Sequence, residues 1–194
     1  VEAALAKGGA LSIPHTHLDS TLDPLVRTAR AIYATGKDSV LAVGLIHIPD
    51  KADEEFCLDG LAAVLRIASE AMGLPEVRIK NIYIERDMKM DPYDLEAVIG
   101  FVEAQAGRIR ENVGPKTAVV ITGDLVHYGY GYRMTEVAED PRGLIDGMVK
   151  RSLDLLYKCS DMASFINYSS EVKSDQMYVG IALRAACTNS TRWT

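Results

Sequence analysis

Residues 39–48, SVLAVGLIHI, are apolar at nearly every position. A strand with one face in water alternates polar with apolar, so an unbroken run of this length predicts a strand buried on both faces. Such strands belong to parallel sheets covered by helices on either side. TAVVIT at 117–122 has the same character. Two central strands of this kind, separated by segments of helical periodicity, restrict the chain to an α/β architecture with crossover connections.

The rest of the order follows from period and punctuation. ALSI at 10–13 is a short first strand. A helix is predicted from about Leu22 to Thr35, started by Pro24 and stopped by Gly36. A second runs from about Asp53 to Met72, with Leu58, Leu61, Leu65 and Ile67 among its apolar positions and Gly73 and Pro75 behind it. VRIKNIYIER at 77–86 alternates sides, as an edge or half-exposed strand does. The next helix starts near Pro92, carries Leu95, Val98, Ile99 and Val102, and ends before Gly114 and Pro115. After TAVVIT comes the glycine-rich GDLVHYGYGY, then helical segments at 141–159, 161–168 and 175–187. The expectation is a single α/β domain over 1–194, with a mostly parallel central sheet flanked by helices.

Acidic residues outnumber basic ones by 27 to 21, a formal charge of −6, and the cations are scattered. Without a basic stripe there is no electrostatic footprint for a phosphate backbone, so nucleic acid is not an expected partner. The apolar stretches are too short to span a bilayer, and no charged-then-apolar leader opens the chain, which together predict a cytoplasmic protein that does not engage membrane. The three cysteines, Cys57, Cys159 and Cys187, are widely spaced. They read as small core residues rather than disulfides or a zinc knuckle. A homo-oligomer is left open: residues 77–86 could pair across a two-fold axis, while Lys80, Glu85 and Arg86 are the kind of charges that discourage edge pairing.

All four histidines fall where a predicted strand runs out: His15 and His17 in SIPHTH, His47 after the second strand, and His127 in GDLVHYGYGY. Strand ends of an open α/β sheet converge on one rim, where ligands bind. His15 and His17 would share a side of an extended segment, as a metal pair or as an ordinary surface turn. His47 alone could equally be satisfied by a backbone carbonyl. Asp124 and His127 follow a buried strand on a loop with Gly123, Gly129 and Gly131, where a carboxylate can fix an imidazole's tautomer; the other reading makes Asp124 a turn cap. Tyr128, Tyr130 and Tyr132 could wall an aromatic pocket or pack over a sheet edge.

SIPHTHLDSTLDPLVRTARAI resembles the Pro-His segment of the Memo family, and SVLAVGLIHI that family's strand ending in Gly-Pro-Ser-His. GDLVHYGYGY is similar to its Ser-Asp-x-x-His-(Tyr/Trp)-Gly signature, and SFINYSSEVKSDQMYVGIALRAA to its closing region, which contains Asn-Tyr. The resemblance spans about residues 10 to 187. It implies a fold like the class III extradiol dioxygenases, with His15 and His47 as metal ligands and Asp124 and His127 lining the site. Where the family has a metal-site cysteine this chain has Ser174, and EEFCLDGLAAVL lacks the family's further histidine. Thiolate is a soft ligand and hydroxyl is not, so the nearest carboxylates, Asp175 and Glu171, become the candidates to complete an Fe(II) site, with Zn or Cu as alternative ions. Asp175 could also be a helix cap beside Ser174.

The expectation is therefore a non-haem Fe(II) oxidoreductase, dioxygenase-like, acting with O2 on a small substrate, aromatic or otherwise. His15, His47 and Asp175 would be ligands, His127 would move a proton, and Asp124 would orient it. His17, Tyr128, Tyr130, Ser174 and Glu171 would line the substrate pocket. Two alternatives stand beside it: a non-catalytic binder of metal or a phospho-ligand, and a zinc-dependent amidohydrolase.

Overall fold

A computed structural model describes residues 1–14, 18–46, 56–85, 91, 94–132, 138–158 and 162–188. They fall into two compact units, one of residues 1–86 and 108–123, the other of residues 87–107 and 124–194.

The first unit carries the sheet. Its elements are helix α1 (Glu2–Ala6), strand β1 (Ala10–Ile13), helix α2 (Leu18–Ala34), strand β2 (Ser39–Ile46), helix α3 (Phe56–Met72), and strands β3 (Arg78–Glu85) and β4 (Thr117–Thr122). The four strands are all parallel in the order β1-β4-β2-β3. Register places Ile13 beside Thr122, Val43 beside Ile121 and Ser39 beside Arg78. The strand whose sequence alternates, β3, lies at an edge, while the two unbroken apolar runs, β2 and β4, are central.

Val40 and Ala42 of β2 and Ala118 and Val120 of β4 share one apolar cluster with Leu25, Ala29 and Ile32 of α2 and Leu61 and Leu65 of α3. The intervening residues Leu41, Val43, Val119 and Ile121 are buried as well. Neither side of the central strands can therefore be polar, which is why both read as continuous apolar runs.

α2 starts at Leu18, a turn before the expected Leu22, so Pro24 lies inside it. An interior proline forfeits one backbone bond and costs about 3 kcal/mol. Thr21 and Leu25, at 1% and 0% exposure, are buried beside Ala29 and Ile32, and that burial holds the extra turn in place. α2 stops where expected: Gly36 takes φ +65, its N–H bonds the Tyr33 carbonyl, and the Lys37 N–H bonds that of Ile32, a Schellman termination.

The second unit is helical. It holds most of α4 (Leu95–Arg110), followed by α5 (Pro141–Lys158), α6 (Met162–Glu171), a 3₁₀ turn (Asp175–Met177) and α7 (Val179–Thr188). α4 begins after Asp94, whose carboxylate accepts from the Ala97 N–H at 3.1 Å, a side-chain cap slightly beyond the expected start at Pro92. α7 approaches α5 closely at Gly180, where an added Cβ would lie 3.1 Å from Leu156 Cδ2. Cys187, expected in the core, is exposed because it falls past the last buried residue of α7, Ala185. Among the described residues no helix is long and apolar enough to cross a membrane.

Candidate metal centre

Two short segments of the second unit build the site. Asp124 is the second residue after β4 in the chain and opens a loop that runs to a 3₁₀ turn at Tyr130–Tyr132. The other segment, 172–175, joins α6 to the turn that precedes α7. Backbone bonds clip them together: the His127 N–H donates to the Val172 carbonyl and the Asp175 N–H to the Asp124 carbonyl, each at 3.0 Å. The Ser174 hydroxyl also donates to the Asp124 carbonyl at 3.2 Å, and its oxygen accepts from the Gln176 N–H. Ser174 is thus the cap of the 3₁₀ turn, which leaves the neighbouring Asp175 carboxylate available to the site.

That carboxylate is held from the opposite segment. The Asp124 N–H donates to Asp175 Oδ2 at 2.8 Å. Lys173 adopts φ +54, a left-handed conformation that a side chain with a Cβ rarely takes. Its carbonyl accepts from His127 at 2.6 Å. A carbonyl can only accept, so His127 Nδ1 carries the proton and Nε2 is the atom left for the site. Nε2 lies 3.5 Å from Asp124 Oδ2 and 3.7 Å from Asp175 Oδ2. Exposure of the three side chains is 15% for His127, 28% for Asp124 and only 3% for Asp175.

One imidazole nitrogen and one oxygen from each carboxylate lie within 4.8 Å of one another, the one such group of potential ligands among the described residues. Ligand bonds of about 2.0–2.2 Å set neighbouring donors roughly 3–3.5 Å apart, so the 3.5 Å spacing to Asp124 lies at the upper end of that range and the 3.7 Å spacing to Asp175 slightly beyond it. Without an ion the same groups favour imidazolium. Pairing with Asp124, the Lys173 carbonyl and the Asp175 charge push the His127 pKa up to about 9, against the opposing effect of burial.

Tyr132 packs its ring on the His127 ring, centroids 4.4 Å apart and planes tilted by 31°. Gly129, at φ +110, turns the chain so that the Tyr132 N–H bonds the Gly129 carbonyl and the ring folds back over the histidine. The Tyr128 hydroxyl accepts from the Ala138 N–H at 2.7 Å. Tyr130 is 72% exposed. Glu171 is an exposed residue at the end of α6.

The structure therefore brings together Asp124, His127 and Asp175, with Ser174 supporting them through its hydroxyl. His15, His17 and His47 lie outside the described residues. Two contributors were not singled out as site groups by sequence. Tyr132 was visible only as one of three loop tyrosines. Lys173 acts through its carbonyl, and no side-chain pattern marks a backbone group. No protein-family model matches this chain, and no curated protein matches it.

Proposed function

We propose that Asp124, His127 and Asp175 bind a divalent cation, with Fe(II) as the leading ion, and that the protein is a metal-dependent oxidoreductase acting on a small substrate. The observation that carries this reading is the convergence of one imidazole Nε2 and two carboxylates, one of them 3% exposed, on a common point. Imidazole suits Fe, Zn and Cu, while carboxylates suit harder ions, and a mixed set accommodates Fe(II). A fold like the class III extradiol dioxygenases, and His15 and His47 as further ligands, belong to the same proposal and rest on the sequence resemblance.

When bound, such an ion supplies redox and Lewis-acid chemistry at the site. The chain's own groups prepare the place for it. The Lys173 carbonyl fixes the tautomer that leaves Nε2 free, as an outer hydrogen-bond partner commonly does for a ligating histidine. The Asp124 N–H holds one oxygen of Asp175 and so orients that carboxylate. Tyr132 covers one face of the imidazole and keeps water from it.

Elemental analysis of protein purified without oxygen tests the proposal. The expected result is about one iron per chain, lost by roughly tenfold or more in His127→Ala and Asp175→Asn, together with oxygen consumption on a panel of small phenolic substrates. Stoichiometric zinc with activity that survives strict anaerobiosis would replace it with hydrolysis. Metal bound without turnover on that panel would reduce the protein to a binder.

A further inference from the structure

In the first unit, α2 and α3 present an apolar groove of about 920 Å³. Leu61 and Leu65 of α3 point into the core, as their spacing predicts, but Ile67 does not: it is 56% exposed and lines the groove. Met72 at 70%, and Leu22 and Val26 of α2 at 50% and 39%, stand beside it. Between these raised aliphatic side chains lie small ones, Ala29 and Ala68. α3 thus carries two apolar directions, and the sheet uses only one.

Glu2 and Arg30 border the same groove and also share an adjoining hollow. Neither side chain makes an ion pair or hydrogen bond among the described residues. The neighbouring charges, by contrast, are paired within their own helices, Arg27 with Asp23 and Arg66 with Glu70.

We propose that the α2–α3 face is a homodimer interface, on which a second copy of this chain packs its own α2 and α3 about a two-fold axis. An interface between identical patches must carry both halves of its fit in one surface. This one does, with ridges at Leu22 and Val26, four residues apart, and low points at the alanines, the arrangement by which helices pack ridge into groove. The charges are self-complementary too. A two-fold axis near that end sets one copy's Arg30 against the other's Glu2, twice over. A lipophilic anion would satisfy Arg30 but place its own charge by Glu2, and an uncharged apolar ligand would satisfy neither.

The size fits as well. Each helix has 17 residues, roughly 25 Å at 1.5 Å per residue. Side by side they offer a footprint of about 500 Å², below the roughly 800 Å² per partner of a standard interface and in the range of a weak, concentration-dependent dimer.

Sedimentation velocity on the full chain, across about 1–100 µM, reads the outcome directly. The expected result is a concentration-dependent species of twice the chain mass. Ile67→Lys should weaken the association by roughly tenfold or more while leaving the far-UV circular dichroism and thermal melt unchanged, because the side chain is already half in water. Glu2→Arg and Arg30→Glu, each at an exposed position, should weaken it a few-fold singly and restore it when combined. A monomer throughout that range overturns the proposal, as does a dimer indifferent to both Ile67→Lys and the charge exchange. So does a monomer that binds 1-anilinonaphthalene-8-sulfonate stoichiometrically and loses it in Ile67→Lys, which would assign the groove to a small apolar ligand.

Discussion

Lys173 is held in a left-handed conformation with its carbonyl on the imidazole of His127 at 2.6 Å. A non-glycine residue in that region costs of order 1 kcal/mol, and such strain gathers where a site needs a group aimed. The backbone, not the ammonium, does the aiming. In metal-free protein the His127 imidazole should titrate near pH 9 by heteronuclear NMR, and Lys173→Gly, which keeps the carbonyl, should leave that midpoint in place. Asp124→Asn removes the largest cause of the shift and should bring the midpoint down toward the ordinary 6.5. The folded value lies above the unfolded one, so the charged histidine's contribution to stability is fully present below about pH 6.5 and is lost as the pH rises through about 9. Asp124 and His127 were legible in the sequence because a buried apolar run ends just before an acid and an imidazole three residues apart. Asp175 was legible only through the resemblance to the Memo family, as the carboxylate beside Ser174. Lys173 was not, since its contribution is a peptide carbonyl that any residue possesses.

At the scale of elements, punctuation was the reliable signal. Gly36 and Gly73 end α2 and α3 at positive φ, with Lys37 and Leu74 each donating five residues back to Ile32 and Ser69. Alanine at residue 36 meets nothing within 4 Å, so its cost is conformational alone. Gly36→Ala should destabilise by about 1 kcal/mol, the left-handed penalty partly offset by a less flexible unfolded chain, and urea denaturation with an unchanged m-value would show it. Helix starts were less legible. Pro24 looks like a first-turn residue, yet burial of Thr21 and Leu25 carries α2 back to Leu18 through it. The strand assignments survived because period-two and unbroken apolar patterns report directly how many faces of a strand are covered. What no pattern reported was the clip between the Asp124 loop and residues 172–175, which depends on two backbones meeting some fifty positions apart.

For the molecule as a whole, the placement of the three proposed ligands has a thermodynamic consequence. Asp124, His127 and Asp175 all belong to the second unit, and they join two segments distant in its chain. A ligand that binds only the folded form stabilises by RT ln(1 + [L]/Kd), about 2.7 kcal/mol at a hundredfold excess over Kd. Part of the closure cost is already met, because the hydrogen bonds of Asp124, His127, Ser174 and Asp175 hold the segments together before any ion arrives. A cation would therefore deepen an existing clip rather than create one, and opening of that clip is the local event it should suppress. Hydrogen exchange in the presence of Fe(II) under anaerobic conditions, against chelator-treated protein, should show slower exchange at the amides of Asp124, His127 and Asp175, whose acceptors lie across the clip. The amides of β2 and β4, bonded within the sheet of the first unit, set the reference. In Asp175→Asn the metal-dependent slowing should shrink at all three amides together. Equal slowing in that variant and in the unaltered protein would place the bound ion elsewhere and remove Asp175 from the site.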